Sequence, residues 1–265
     1  MSNTTTPIIP LADYSADPAA LKDKTILVTG AGDGLGKSIA SALAKYGATI
    51  ILLSKTVKKL EAVYDGIEQV GGPQPAIFPM DLEKAEESDY QQLAVAIHDN
   101  FGQLDGLILN AVTIGQHSPI VNTDLEQWSR SLQINLTANF LLLKHCSGVL
   151  NKAAKASVIY VSDAVARHGK AYWGTYSTSK AASLNLIQTL ADEWESNTNI
   201  QLNSIDPGPL QTGLRRQAFP GEDPRSNPEP DSATKPFLYF MDPGINWPSG
   251  KHFSWDIAAQ TLSEN

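Results

Sequence analysis

Tyr176 and Lys180 are the first candidate catalytic residues, because they stand four positions apart at the start of a helix-like run. Side chains with this spacing lie on one face of a helix, so the lysine ammonium would stand beside the phenol. A free phenol has a pKa of about 10, too high for a general base at neutral pH, and a nearby cation stabilises its deprotonated form. The pair therefore suits proton exchange with a substrate oxygen. The alternative is ordinary helix packing with an amine that reaches solvent.

A glycine-rich turn follows the apolar segment 26–28, and its glycines have the spacing Gly-x-x-x-Gly-x-Gly. Glycines let the backbone approach a pyrophosphate closely, and the helix that follows offers free N–H groups and a positive dipole end. The alternative is a plain structural turn. Because a nucleotide turn precedes the Tyr-x-x-x-Lys pair, hydride transfer is the favoured chemistry. The cofactor contacts expected here are Gly30, Asp33, Gly34, Leu35, Gly36 and Lys37.

The end of the second expected strand indicates which nicotinamide cofactor is bound. An NAD site usually has a carboxylate there to hold the ribose hydroxyls, whereas this chain has Ser54 and Lys55. Lys55 and Lys37 would supply two ammonium groups, which suit the 2′-phosphate of NADP. Either lysine could instead be a solvated surface residue. Asp81, followed by Leu82, ends the third strand, where its carboxylate can accept from the adenine amino group or cap the next helix.

Short apolar strands alternate with amphipathic helices from Thr25 onward. Runs of β-branched residues indicate strands buried on both faces, and the alternation indicates right-handed βαβ units in a doubly wound parallel sheet. The expected strands are 25–29, 49–54, 76–80, 106–110, 157–162 and 200–205, with a last one near His252 to Trp255. The expected helices are 34–46, 56–70, 84–100, 124–150 and 176–195.

A single Rossmann-fold catalytic domain is expected over 23–265, after an extended arm over 1–22 that is rich in Thr, Pro and Ala. The proline-punctuated, polar segment 207–236 breaks the strand–helix pattern. Long irregular segments inside compact domains are usually lids or binding loops, so we expect this one to cover the substrate. The alternative is a disordered surface insertion.

The composition disfavours several classes of function. The chain of 265 residues has 18% charged and 42% apolar residues, and its net charge of −8 disfavours nucleic acid and anionic membranes as partners. The only cysteine, Cys146, cannot form an internal disulfide, and the five histidines lack metal-binding spacing, so no metal site is expected. Without a signal-like N-terminus or a membrane-length apolar run, a soluble cytoplasmic protein is expected.

Further motifs accompany the two described above, and together they carry a family resemblance. The family motifs are Thr29-Gly30-x-x-x-Gly34-x-Gly36, Asp81, Asn110-Ala111, Asn135, Tyr176-x-x-x-Lys180 and Pro207-Gly208-x-x-x-Thr212. Over nearly the whole chain from Thr25, the sequence resembles the short-chain dehydrogenase/reductase family. It looks most like the bacterial YciK-like oxidoreductases in Tyr46-Gly47-Ala48-Thr49, Arg167-x-Gly169-Lys170-Ala171, Trp173-Gly174 and Ala218-Phe219-Pro220. The resemblance implies a seven-stranded parallel sheet with helices on both faces.

The resemblance also implies roles for individual residues. Tyr176 would be the acid/base, and Lys180 would bind the nicotinamide ribose. Asn135 would support an ordered water behind Lys180, while Asn110 and Ala111 would line the cofactor trough. The residues expected beside the nicotinamide are Pro207, Gly208, Leu210 and Thr212.

Two positions depart from the family pattern. Val112 replaces the glycine of the family's Asn-Ala-Gly, and Asp163 stands 13 positions before Tyr176, where the family has its catalytic serine. Ser162 is one position too early, and neighbouring strand residues point to opposite faces. It can therefore replace that serine only at a bulged strand end, with Asp163 turned away, for example toward Arg167. Otherwise the Asp163 carboxylate faces Tyr176, repels a developing oxyanion and raises the pKa of the tyrosine.

The sequence predicts an NADP(H)-dependent oxidoreductase that transfers hydride between the nicotinamide and a carbonyl or secondary alcohol. The alternative is a nucleotide-binding protein of the same fold with weak or no turnover, a sensor or partner, which Asp163 and Val112 would favour. The partner expected is a small-molecule substrate. Many family members pair the regions equivalent to 124–150 and 176–195 across subunits, so a homodimer or homotetramer is expected.

Aromatic and histidine residues near the expected pocket give a less specific prediction. Tyr172, Trp173 and Phe219 could form an apolar wall for the substrate, or they could serve lid and subunit packing. His117 and His168 lie in loops and are more typical of surface histidines than of substrate ligands.

Overall fold

Strands and helices alternate through residues 8–265, which are the residues that the computed structural model describes. The strands are β1 (Ile8–Pro10), β2 (Thr25–Thr29), β3 (Thr49–Ser54), β4 (Ala76–Pro79), β5 (Gly106–Leu109), β6 (Ala156–Val161), β7 (Ile200–Asp206), β8 (His252–Asp256) and β9 (Thr261–Glu264). The helices are α1 (Gly34–Lys45), α2 (Val57–Gln69), α3 (Glu87–Phe101), α4 (Leu125–Leu132), α5 (Ala138–Leu150), α6 (Gly174–Trp194), α7 (Gly213–Ala218) and α8 (Lys235–Met241).

These strands form one sheet in the order β1-β9-β8-β7-β6-β5-β2-β3-β4. The seven strands β2 to β8 pair in parallel as predicted, whereas β9 pairs antiparallel with β8, and β1 pairs antiparallel with β9. The expected count of seven strands was therefore too low. The two missed strands have only three and four residues, too few to show a readable apolar pattern.

The order of the strands creates a crevice at the centre of the sheet. From β2 the chain proceeds through β3 and β4 to one edge, and β5 then starts the other half on the opposite side of β2. The loops after β2 and β5 therefore diverge at the carboxyl ends of these strands. Ligands of open α/β sheets bind at such a point. The glycine turn follows β2 and Asn110 follows β5, so both lie at this crevice.

The segment 8–22 packs against the sheet. Its strand β1 pairs with β9, and the side chains of Leu11 and Leu21 are fully buried in the same core as β2. The backbone N–H of Leu21 donates to the carbonyl of Tyr46. Residues 1–7 of the predicted arm lie outside the described residues.

Helices differ from the expectation at two places. The predicted helix 124–150 is α4 and α5 joined by a π-helical turn at Gln133–Thr137. The proline-rich segment 207–236 contains the short helix α7 and leads into the unpredicted helix α8, whose Phe237 and Phe240 are fully buried. The prolines made this segment look irregular, so α8 was not predicted. Pro236 lies in the first turn of α8, where the ring replaces no helical hydrogen bond.

Apolar cores cover both faces of the sheet, as continuous β-branched strands require. On β2, Ile26 and Val28 point into one core and Leu27 into the other. Among the helices over residues 8–265, none combines the length and the apolar content that crossing a bilayer needs.

Candidate active site

Tyr176 and Lys180 lie in the first half of α6, and both are buried with 3% of their surface exposed. The lysine Nζ donates a hydrogen bond of 2.6 Å to the carbonyl of Val161 at the end of β6. It stands 5.7 Å from the centroid of the tyrosine ring. Burial lowers the pKa of Lys180 to about 8, against the opposing influence of nearby carboxylates. The Lys180 ammonium group therefore lies close to the Tyr176 phenol, as the spacing predicts.

Asp163 faces this tyrosine. The hydroxyl of Tyr176 donates to Asp163 Oδ2 at 3.1 Å, and Oδ1 of the same carboxylate accepts from the backbone N–H of Val165 at 3.0 Å. The second bond caps a short 3-10 turn, Ala164–Ala166, and fixes the carboxylate at the end of β6. Within residues 8–265, Asp163 forms no ion pair with Arg167, and the buried hydroxyl of Ser162 has no hydrogen-bond partner. Of the two arrangements considered, the structure has the one in which the carboxylate, not Ser162, meets the phenol.

A second carboxylate, Asp206, lines the same cleft from the end of β7, and sequence reasoning missed it. Its Oδ1 accepts from the backbone N–H of Gly208 at 2.9 Å. Burial raises the pKa of Asp206, and the charge of Asp163 adds to that rise. Burial, together with Asp163, likewise raises the pKa of Tyr176 well above its ordinary value. The signal in the sequence was a carboxylate directly before the Pro207-Gly208 motif.

Asn135 lies in the π-helical turn between α4 and α5, and it joins three parts of the site. Its Oδ1 accepts from the backbone N–H of Thr113 at 2.8 Å, and its Nδ2 donates to the carbonyl of Thr113 at 2.8 Å. The same Nδ2 lies 2.9 Å from Ser179 Oγ on α6. Because π-turns commonly mark functional sites, this location agrees with a positioning role. A water behind Lys180 stays a prediction.

The glycine turn is packed too tightly for larger residues. Gly30 has a φ of +66°, and a Cβ there would stand 2.9 Å from Asn110 Nδ2. A Cβ on Gly36 would collide with the carbonyl oxygen of Gly30 and would approach Asn110 Nδ2 to 2.5 Å. Asn110 itself donates to the carbonyl of Thr29 at 3.0 Å, which ties the end of β2 to the loop after β5. The two glycines therefore hold the turn close to the start of α1, and the turn and the helix together form a backbone cradle at a helix N-terminus, the kind of site that binds a pyrophosphate.

A cavity of about 200 Å³ adjoins this cradle at the carboxyl ends of β2 to β4. Of the predicted cofactor contacts, those that line it are Gly30, Ser54, Lys55, Asp81, Leu82 and Ala111. Lys37 is exposed and does not line it. Sequence reasoning missed Lys59 in the first turn of α2, whose Nζ contacts the Asp33 carboxylate at 2.5 Å. It also missed Arg130, which lines the cavity and pairs with Glu83 at 3.0 Å.

A second cleft of about 330 Å³ lies beside Tyr176. Of the predicted contacts, those that line it are Leu35, Asp163, Tyr176, Pro207, Gly208, Leu210 and Thr212. Trp173 and Phe219 form part of its wall, with ring centroids 5.6 Å apart. Tyr172 is 61% exposed and does not line the cleft, so it is not part of the aromatic wall. The ring centroid of His117 lies 4.3 Å from that of Trp173, and His117 does not line the cleft.

A family model described as short chain dehydrogenase matches residues 24–223. The chain belongs to the short-chain dehydrogenase family. It is therefore an NAD(P)-dependent oxidoreductase of the Rossmann type, and the cavity beside the glycine turn lies where the nicotinamide dinucleotide of this family would bind. The family resemblance drawn from the motifs is confirmed.

Individual relatives agree with this assignment. The Escherichia coli K12 protein described as the uncharacterized oxidoreductase YciK is 37% identical over 228 residues, which are 86% of this chain and 90% of that protein. A short-chain dehydrogenase structure from Pseudomonas syringae has a TM-score of 0.88 and 41% identity, covering 91% of this chain and 98% of that one. A Shigella flexneri 2a short-chain dehydrogenase, solved in complex with NADP, has a TM-score of 0.87 and 36% identity, covering 90% and 99% of the two chains.

Proposed function

We propose that this protein is an NADP(H)-dependent oxidoreductase that interconverts a carbonyl compound and a secondary alcohol. The observation that supports it best is the buried pair of Tyr176 and Lys180 at a cleft next to the glycine cradle. The pair can exchange a proton with a substrate oxygen at the place where the family's cofactor would lie.

In the direction of reduction, Tyr176 donates its proton to the carbonyl oxygen as the carbon becomes tetrahedral. NADPH, when bound at the cradle, would supply the hydride. The Lys180 ammonium stabilises the phenolate that remains, because an opposite charge nearby favours the charged form of the phenol. General acid catalysis of this kind contributes roughly 10²–10⁴-fold to the rate. The substrate oxygen must replace Asp163 as the acceptor of the Tyr176 hydrogen bond.

A preference for NADP(H) over NAD(H) is supported by the end of β3. Ser54 and Lys55 line the cavity next to the cradle, and no carboxylate follows β3 where an NAD site would have one. The side chain of Lys59 starts close to Ser54, since a Cβ on Gly32 would stand 3.0 Å from Lys59 Cβ and 3.6 Å from Ser54 Oγ, and the Lys59 ammonium group contacts Asp33. The complex of the Shigella flexneri relative with NADP supports the same preference.

A nucleotide-binding protein with little turnover is the second candidate, and one observation favours it. The phenol proton of Tyr176 is held by a carboxylate, and its pKa is raised by burial and by that carboxylate. Both effects make the phenol a poorer acid. The presence of both Tyr176 and Lys180 favours the enzyme.

The experiment compares the wild type with Tyr176→Phe in NADPH consumption with a panel of activated ketones, and in NADPH binding by protein fluorescence. We expect the wild type to consume NADPH with at least one ketone, and the variant to be 10²-fold slower or more while binding NADPH as tightly. Equal rates for the two proteins would refute the role of Tyr176. NADPH binding without any ketone reduction by the wild type would favour the second candidate.

A further inference from the structure

The substrate cleft carries two carboxylates and, among the described residues, one buried ammonium group, that of Lys180, whose charge acts on both. Asp163 and Asp206 both line it, and neither forms an ion pair with another described residue. Each accepts only one backbone hydrogen bond from its own turn, and Asp163 also accepts from Tyr176. Unpaired carboxylates in a partly buried cleft are costly, so their presence together needs an explanation.

Cationic side chains surround the cleft, but none of them forms an ion pair with Asp163 or Asp206 within residues 8–265. The guanidinium of Arg215 makes two bonds of 2.6 Å to the Glu222 carboxylate and stacks on Phe219. The Lys180 ammonium donates to the carbonyl of Val161. Arg167 is exposed, and Lys170 stands over the ring of Trp173 at the rim, 5.4 Å from its centroid. The cleft thus offers a site for one more positive charge beside the catalytic phenol.

We propose that the substrate is a vicinal amino ketone or amino alcohol, whose ammonium group lies between Asp163 and Asp206 while its oxygen meets Tyr176. The inference rests on the proposed function and names the substrate class of that site. The commonest alternative, a neutral ketone, would place its oxygen beside a carboxylate that accepts hydrogen bonds and, when ionised, cannot donate one.

An ammonium group next to the reacting carbon offsets the unfavourable placement of the ketone oxygen beside a carboxylate in two ways. Its charge offsets that of the carboxylates while negative charge develops on the substrate oxygen. Its N–H also offers that oxygen the second hydrogen bond that Asp163 cannot donate. The reaction balances as for any ketone: the carbonyl carbon gains the hydride that NADPH supplies, and the oxygen gains the Tyr176 proton. The alcohol and NADP⁺ are the products, and the ammonium group is unchanged.

The test uses two ketones of the same shape that differ only in charge. They are 2-(dimethylamino)-1-phenylethanone, protonated at its nitrogen below neutral pH, and its carbon isostere 3-methyl-1-phenylbutan-1-one. Calorimetric titration of the full chain loaded with NADP⁺ at pH 6.5 measures binding without turnover. We expect the cationic ketone to bind at least tenfold more tightly. Equal affinities, tighter binding of the isostere, or no binding of either ketone would overturn the inference.

Variants separate the contribution of the carboxylates from that of the aromatic wall. Asp206→Asn should reduce the preference for the cationic ketone at least fivefold, and Asp206→Ser serves if the first variant does not fold. Asp231→Asn is the matched control, because Asp231 is an exposed carboxylate that does not line the cleft. A preference that survives both Asp206 variants unchanged would refute the assigned site. The binding comparison needs no hydride transfer, so it stands even if no ketone is reduced and the proposed function fails.

Discussion

The hydroxyl of Tyr176 donates a 3.1 Å hydrogen bond to Oδ2 of Asp163, so a carboxylate holds the proton that the reaction needs. The usual serine of this family would be both a donor and an acceptor at that position, whereas an ionised carboxylate only accepts. Burial raises the pKa of Tyr176, and the Asp163 carboxylate adds to that rise. The same side chain accounts for the poor reduction of simple ketones that we expect.

Replacing this carboxylate should improve the reduction of simple ketones. We expect Asp163→Ser to raise kcat/KM for neutral activated ketones at pH 7 by about tenfold, since the new hydroxyl can donate to the substrate oxygen, which is worth roughly 1.4 kcal/mol. NADPH oxidation at 340 nm measures the effect. Ser162→Ala is the control and should change little, because the Ser162 hydroxyl has no partner. Loss of activity in Ser162→Ala with no effect of Asp163→Ser would show that our assignment of these two residues is reversed.

Lys55 should decide the choice of cofactor. Lys55→Ala removes an ammonium from the cavity beside the cradle, and we expect the Kd for NADPH to rise about tenfold while that for NADH changes less than twofold. Fluorescence titrations of both cofactors at fixed ionic strength measure this. Lys58→Ala, an exposed neighbour outside the cavity, is the control. Tighter binding of NADH than NADPH by the wild type would contradict the NADP(H) preference.

A single methyl group on Gly36 should abolish nucleotide binding. In Gly36→Ala the new Cβ would meet the carbonyl oxygen of Gly30 and the amide of Asn110, which are both held by the surrounding strands. We expect a loss of NADPH affinity of 10²-fold or more, and a destabilisation of about 1–3 kcal/mol from overpacking. Gly148→Ala on α5 meets no atom and should be neutral or slightly stabilising. If Gly36→Ala bound NADPH as tightly as the wild type, the glycine turn would not be the nucleotide site.

The buried amine of Lys180 should make stability depend on pH. Its folded-state pKa of about 8 lies below that of a free lysine, so the unfolded chain binds more protons between about pH 8 and 10, and this contribution to stability rises with pH there. We expect Lys180→Met to stabilise the protein at pH 7, and this advantage to shrink by roughly 1–2 kcal/mol by pH 9.5. Urea denaturation of both proteins at the two pH values measures it. A constant difference would mean that the amine does not titrate in this window.

The catalytic motif and the central sheet could be predicted from the sequence because each depends on local spacing. Tyr176 and Lys180 are one helical turn apart, and the strands beside the crevice are continuous apolar runs. Asp206 and Lys59 could not be predicted from local spacing, because they reach the site only through contacts between distant segments. Asp206 shares a cleft with Tyr176, and Lys59 of α2 contacts Asp33. The direction of the Asp163 carboxylate could not be predicted either, because the backbone N–H of Val165 orients it.

The antiparallel pair β1 and β9 has a consequence for how the protein opens. Ile8 is aligned with Ser263, so this ladder closes a loop that spans almost the whole sequence, and it shields β8 from becoming a bare sheet edge. Its three ladder positions at the edge of the sheet provide little local stability. Amide hydrogens of β1 should therefore exchange sooner than those of β2, and fraying there would leave β9 and then β8 available for pairing with another molecule.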